Sequence, residues 1–167
     1  MEFVEELLTN YNLSESHTAN LIQTYLGATL EYNCNALENA VSLSTLFANI
    51  LQDGFGLSIK AGLEKANSHL SESSCYGSDP DRKNVVLIIA SGIDDATHDP
   101  PRTVLDAANA LKNQGVEIHA IGVENADRDQ LEQITGSPSR VTMFPFFQNL
   151  TKVHVNYFVN RLLAPEG

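Results

Sequence analysis

The segment that most narrows the choice of fold is Asn84–Asp95, NVVLIIASGIDD. Within it Val85–Ala90 is an unbroken apolar run, rich in β-branched residues and closed by Ser91-Gly92. A run so short, without polar alternation, predicts a strand buried on both faces, the habit of parallel sheets. Asp99-Pro100-Pro101 then has the pattern of a helix N-cap with proline in the first turn. Val104, Ala107, Ala108 and Leu111 mark one helical stripe, and Gly115 stands where a C-terminal glycine cap belongs. A second apolar strand, Val116–Val123 (VEIHAIGV), begins at once. Strand, capped amphipathic helix and strand make a βαβ unit, for which a right-handed crossover is expected. Open sheets of this kind bind ligands at the carboxyl ends of their strands, which puts Ser91–Asp99 on the expected functional edge.

Elsewhere the same reading predicts a helix over Glu2–Tyr11, with Phe3, Val4, Leu7 and Leu8 on its apolar stripe. Leu21–Leu26 reads as a strand, Gly27-Ala28 as a turn and Thr29–Tyr32 as a short antiparallel partner. Leu37, Val41, Leu43, Phe47 and Ile50 have helical spacing after Asn35, and Ser58–Leu70 would bury Ile59, Leu63, Ala66 and Leu70. Ser71–Lys83 is a polar, turn-rich connection. After the central unit come a helix over Asp127–Ile134, a stop at Gly136–Ser139 and a last strand, Val141–Phe144. A closing helix, Gln148–Leu163, is expected to bury Leu150, Val153, Tyr157, Phe158, the Arg161 stem and Leu162. Phe55 excepted, the phenylalanines and tyrosines fall at predicted core positions. The order of elements predicts an α/β fold: a doubly wound, mostly parallel sheet with one antiparallel edge strand and helices on both faces. At 167 residues, a single domain over 1–167 is expected.

The formal net charge is −11, so a basic face for nucleic acid is missing and cationic partners are favoured. No apolar stretch reaches membrane-spanning length. Met1–Leu8 carries three glutamates and no basic segment, which read literally points to the cytoplasm. The sequons Asn12-Leu13-Ser14 and Asn149-Leu150-Thr151 point instead to secretion and possible glycans on Asn12 and Asn149. Cys34 and Cys75 are too few for a metal site and leave two states open, a disulfide or two free thiols.

Val104–Asp127, VLDAANALKNQGVEIHAIGVENAD, is close to the helix–Lys-x-x-Gly-Val-x-Ile-x-Ala-Ile-Gly-Val-x-x-Ala-Asp run of von Willebrand factor type A (vWA, integrin I-like) domains. Leu131–Ile134, Ser137-Pro138, Phe144 and Phe147–Leu150 continue it, and Gly62-Leu63-x-x-Ala66 resembles the helix after the family's threonine loop. The resemblance covers nearly the whole chain. Met1 falls inside the helix that should follow the family's first strand and its Asp-x-Ser-x-Ser loop, which implies an N-terminal truncation or a slot filled by a strand from another chain. The family's divalent-cation adhesion site is built from that loop, a threonine and the aspartate of Thr-Asp-Gly. Here the threonine's place falls on Leu57, beside Ser58, and Ala90-Ser91-Gly92 stands for Thr-Asp-Gly. Hard cations want charged oxygen ligands, so a degenerate site without Mg²⁺, Ca²⁺ or another cofactor is expected. Asp94, Asp95 and Asp99 with His98 are a private cation candidate; the plainer reading is a solvated acidic loop. The missing strand would lie between Leu21–Leu26 and Val85–Ala90, and these two are expected to pair directly in a narrower sheet.

The resemblance implies a non-enzymatic, adhesion-type protein-binding module, extracellular, with a matrix component as partner. The top loops would bind it: Phe55, Ser58, Ser91, Asp94 and Asp95, joined by Gly122–Asn125. An intracellular vWA-type scaffold in a multiprotein complex is the main alternative. A distant third is an α/β hydrolase with Ser91 as nucleophile, His119 or His154 as base and Asp94 as orienter. Against it, Ile89 and Ile93 occupy the positions where a nucleophile elbow needs glycines. Gly54-x-Gly56 lacks the remainder of a phosphate loop.

Overall fold

The computed structural model describes residues 2–11, 19–24, 28–32, 45, 58–72, 83–92, 101–150 and 152–163. In chain order the described elements are α1 (Glu2–Tyr11), β1 (Leu21–Thr24), β2 (Ala28–Tyr32), α2 (Ile59–Glu72), β3 (Val85–Ala90) and α3 (Pro101–Lys112). They continue with β4 (Glu117–Val123), α4 (Arg128–Thr135), β5 (Val141–Phe144) and α5 (Lys152–Leu163). The helix expected over 37–50 lies outside the described residues, Thr45 excepted, and so does the Asp99-Pro100 cap. The chain divides into two compact units.

The larger unit is built on β3, β4 and β5, which pair in parallel in that order. Val85 stands opposite Glu117 and Ala90 opposite Gly122, while Ala120 stands opposite Val141 and Val123 opposite Phe144. Strand alternation sends Ile118 and Ala120 to one face, where they join Val104, Ala108 and Leu111 of α3 and Leu131 and Ile134 of α4 in one core. Ile121 and Val123, on the opposite face, are also fully buried, so the centre of the sheet is covered on both sides. Gly122 is required by closeness: a Cβ there would meet the Met143 thioether and lie 2.9 Å from Leu131 Cδ1.

The helix ends follow their local chemistry. Asp127 caps α4, its Oδ1 accepting from the Gln130 N–H at 3.1 Å. Gly136 closes α4 in the left-handed conformation, and Gly115 makes the turn after α3, both at φ +79°. In the smaller unit α1 packs on α5, with Phe3 edge-on to Phe158 at 5.9 Å between ring centroids.

Three expectations need correction. β3 is half-buried along most of its length, whereas every residue of β4 is buried. Among the described residues β3 has a strand on one edge only, which leaves its outer flank less covered. Nor, among the described residues, do β1 and β3 pair directly: β1 and β2 form a separate two-stranded sheet. A three-residue link permits only the antiparallel arrangement, and closing so short a loop costs little entropy. Thr24 of β1 lies instead against α2, its Cγ2 2.6 Å from where a Cβ on Gly62 would stand. Finally, Phe146, Phe147 and Tyr157 are exposed rather than in the core. On α5 the buried residues are Val155, Phe158 and Val159, while Tyr157 faces out beneath the Arg161 guanidinium, 5.7 Å from the ring centroid.

Candidate functional site

Parallel pairing brings the carboxyl ends of β3, β4 and β5 to one rim. β3 ends in Ser91-Gly92, with Ser91 exposed. β4 runs into Glu124-Asn125, both exposed, and β5 into Pro145-Phe146-Phe147, all exposed. Glu124 has φ +56°, a left-handed conformation that costs a non-glycine residue roughly 1–2 kcal/mol. Two bonds hold it there: the Glu124 N–H donates to Phe144 O at 3.0 Å, and Ala126 N–H to Val123 O at 3.2 Å. The bend delivers the chain to the Asp127 cap and leaves the Glu124 side chain in solvent.

Ser58 is not on that surface. It is buried, and its Oγ accepts from the Ala61 N–H at 3.0 Å as the cap of α2. Asn149 is exposed in a 3-10 turn, Phe147–Asn149. Phe55, Leu57, Asp94, Asp95, His98, Asp99, Asn12, Cys34 and Cys75 lie outside the described residues. Among the described residues no group of three or more His, Cys, Asp or Glu side chains is placed to hold a metal ion.

The opposite, amino edge carries a cluster of charge. Glu117, the first residue of β4, is buried, with Oε2 2.9 Å from Lys83 Nζ and 3.0 Å from His119 Nε2. Its Oε1 lies 3.6 Å from Arg140, which immediately precedes β5. Near it, Lys112 at the end of α3 donates from Nζ to Ile134 O at 3.0 Å. Burial, and secondarily the Arg140 charge, push the Lys112 pKa below its ordinary value. The structure does not bring Ser91 and His119 together. His119 is level with Leu87, four residues before Ser91, which is about 13 Å along the strand. His154 is half-buried on α5.

The exposed Phe146-Phe147 pair and the strained turn at Glu124 were not anticipated from the sequence. A signal for the first did exist: Phe144, Phe146 and Phe147 crowd a strand end, and alternation cannot turn all three inward.

With this geometry in place, the sequence model of the von Willebrand factor type A domain matches residues 1–156. The chain belongs to the von Willebrand factor type A family. The A domain is 37 % identical over 65 residues to the collagen alpha-5(VI) chain of Mus musculus, covering 39 % of this chain and 2 % of that one. It is 25 % identical over 142 residues to the human collagen alpha-6(VI) chain, covering 83 % of this chain and 6 % of that one. Proximal thread matrix protein 1 of the mussel byssus shares the fold at TM-score 0.77 and 22 % identity, over 95 % of this chain and 40 % of that one. The A domain therefore spans well under half the length of each.

Proposed function

We propose that this A domain is a non-enzymatic protein-interaction module of the adhesive, extracellular-matrix type, and that it binds through the carboxyl rim without a bridging divalent cation. The observation that carries this reading is the donor chemistry of the rim. Ser91 offers a neutral hydroxyl where the family has an aspartate, and the Ser58 oxygen is engaged as a helix cap. Such a pair does not fit Mg²⁺ or Ca²⁺, which need carboxylate oxygens to offset their dehydration. The likeness to collagen VI chains and to the byssus protein, a matrix protein by name, supports an extracellular location. The separation of Ser91 from His119 weighs against His119 as the base of a hydrolase, because a base must reach its nucleophile within hydrogen-bond distance. Phe55, Asp94 and Asp95 are proposed to add contacts from adjoining loops.

The test is binding of the A domain to immobilised matrix proteins, collagen VI first, in Mg²⁺ and Ca²⁺ and again in EDTA. Affinity should change by less than about twofold with chelator and fall about tenfold in Ser91→Arg, a loss of about 1.4 kcal/mol. Binding abolished by EDTA would overturn metal independence; binding indifferent to Ser91→Arg would remove the rim as the site.

A further inference from the structure

The carboxyl rim carries two features that folding does not require. The first is aromatic: Phe144 is buried, whereas Phe146 and Phe147 are 60 % and 49 % exposed. Neighbouring water-facing rings mark a contact surface. The second is acidic. Glycine would adopt the left-handed backbone at position 124 without strain, and glutamate adds only an exposed carboxylate there. Around it, Glu124–Asp129 (ENADRD) holds three carboxylates and one base. The base is engaged, Arg128 Nη1 standing 2.9 Å from Glu132 Oε1. Asp127 accepts the Gln130 N–H as a cap, and Asp129 lies in the first turn of α4, where the helix dipole favours a negative charge. Glu124 has no such structural role, and among the described residues no cation pairs with it.

The two features adjoin within the larger unit. Val123 stands opposite Phe144, and the Glu124 N–H donates to Phe144 O at 3.0 Å. Phe146 follows Phe144 by two residues, at most about 7 Å of chain. The bases of the carboxylate and of the first exposed ring thus lie within the span of one long side chain.

We propose that Glu124, Phe146 and Phe147 clamp an arginine side chain from a basic segment of the partner protein. This rests on the rim being the binding face. The carboxylate would accept guanidinium N–H bonds in a charge-assisted pair, while the negative face of a phenyl ring would take the flat cation. A lysine ammonium would meet the carboxylate as a point charge without matching the planar ring. A net charge of −11 draws a basic segment in before contact. An acidic segment would be repelled, and a wholly apolar one would desolvate Glu124 without giving it a partner.

The probes are four synthetic peptides, identical except at two positions that are both arginine, lysine, glutamine or glutamate. Each is titrated into the full chain and followed by amide NMR shifts. The arginine peptide should bind about threefold tighter than the lysine peptide and about tenfold tighter than the glutamine one. Its shifts should centre on Glu124, Asn125, Phe146 and Phe147. Glu124→Gln and Phe146→Ala/Phe147→Ala should each weaken it about fivefold. Both variants should melt within about 2 °C of wild type, since the altered side chains face water. An arginine peptide that binds these variants as well as wild type, or no better than the glutamine peptide, would overturn the clamp. So would a dimer in analytical ultracentrifugation that the double variant loses, which would make the rings a seat for a second copy. Collagen VI binding separates this failure from that of the rim. Binding lost in Ser91→Arg but kept in Glu124→Gln would retain the rim and remove the clamp. Binding indifferent to both, with the arginine-peptide shifts still centred on Glu124, would remove the rim as the matrix site and retain the clamp.

Discussion

The two ends of the parallel sheet are built from opposite materials. At the amino edge one buried carboxylate, Glu117, gathers Lys83, His119 and Arg140, so the starts of β3, β4 and β5 are joined by charge. At the carboxyl rim the same strands end in exposed Ser91, Glu124, Asn125 and Phe146. Groups at the first end are satisfied by the protein itself; groups at the second face solvent, one on a strained backbone. On the reading proposed above, in which the rim is the binding face, stability and recognition are separated along one strand direction, and substitutions at the two ends should have different readouts.

The largest effect is expected at the amino edge. Glu117→Gln leaves three basic side chains facing a neutral amide and should cost about 2–3 kcal/mol in urea unfolding. Matrix binding per folded molecule should stay unchanged; a variant of wild-type stability would show the charge cluster to be idle. At the rim, Glu124→Gly relieves the left-handed strain but loosens the unfolded chain, so stability should stay within about 1 kcal/mol of wild type. Partner affinity should fall nonetheless, and a binding assay beside the melt would expose the reverse pattern if the two ends are not distinct.

The smallest effect concerns Lys112. Its folded pKa is lowered from the ordinary 10.5, so the unfolded chain holds this proton more tightly. Stability should therefore rise with pH between the lowered value and 10.5, a contribution absent from Lys112→Met. Unfolding of both proteins across alkaline pH measures it. Parallel curves for the two would mean that Lys112 does not contribute to the electrostatics of the amino edge.

Much of this molecule is legible in one dimension. The apolar run Val116–Val123 named a strand, and β4 lies there, buried throughout. Gly115 and Gly136 announced helix ends, and both sit there in the left-handed conformation. His119, named as a base only in the hydrolase alternative, is buried against Glu117. The same logic failed for β3, because apolar composition records what a strand tolerates on its faces and says nothing of how many neighbours it has at its edges. It failed for Phe146, Phe147 and Tyr157 because aromatic character was taken for burial.

Periodicity, caps and turn residues depend on interactions within a few positions, and these settled the α/β class and nearly every described element boundary. The assembly of the rim, the burial of the Ser58 hydroxyl and the meeting of Lys83, Glu117 and Arg140 depend on residues far apart in the chain. So does the distance from Ser91 to His119. Register between strands sets the rim, the charge cluster and that distance, the Ser58 hydroxyl being buried with the helix it caps; register is fixed only when the strands pair and α3 and α4 pack on the sheet.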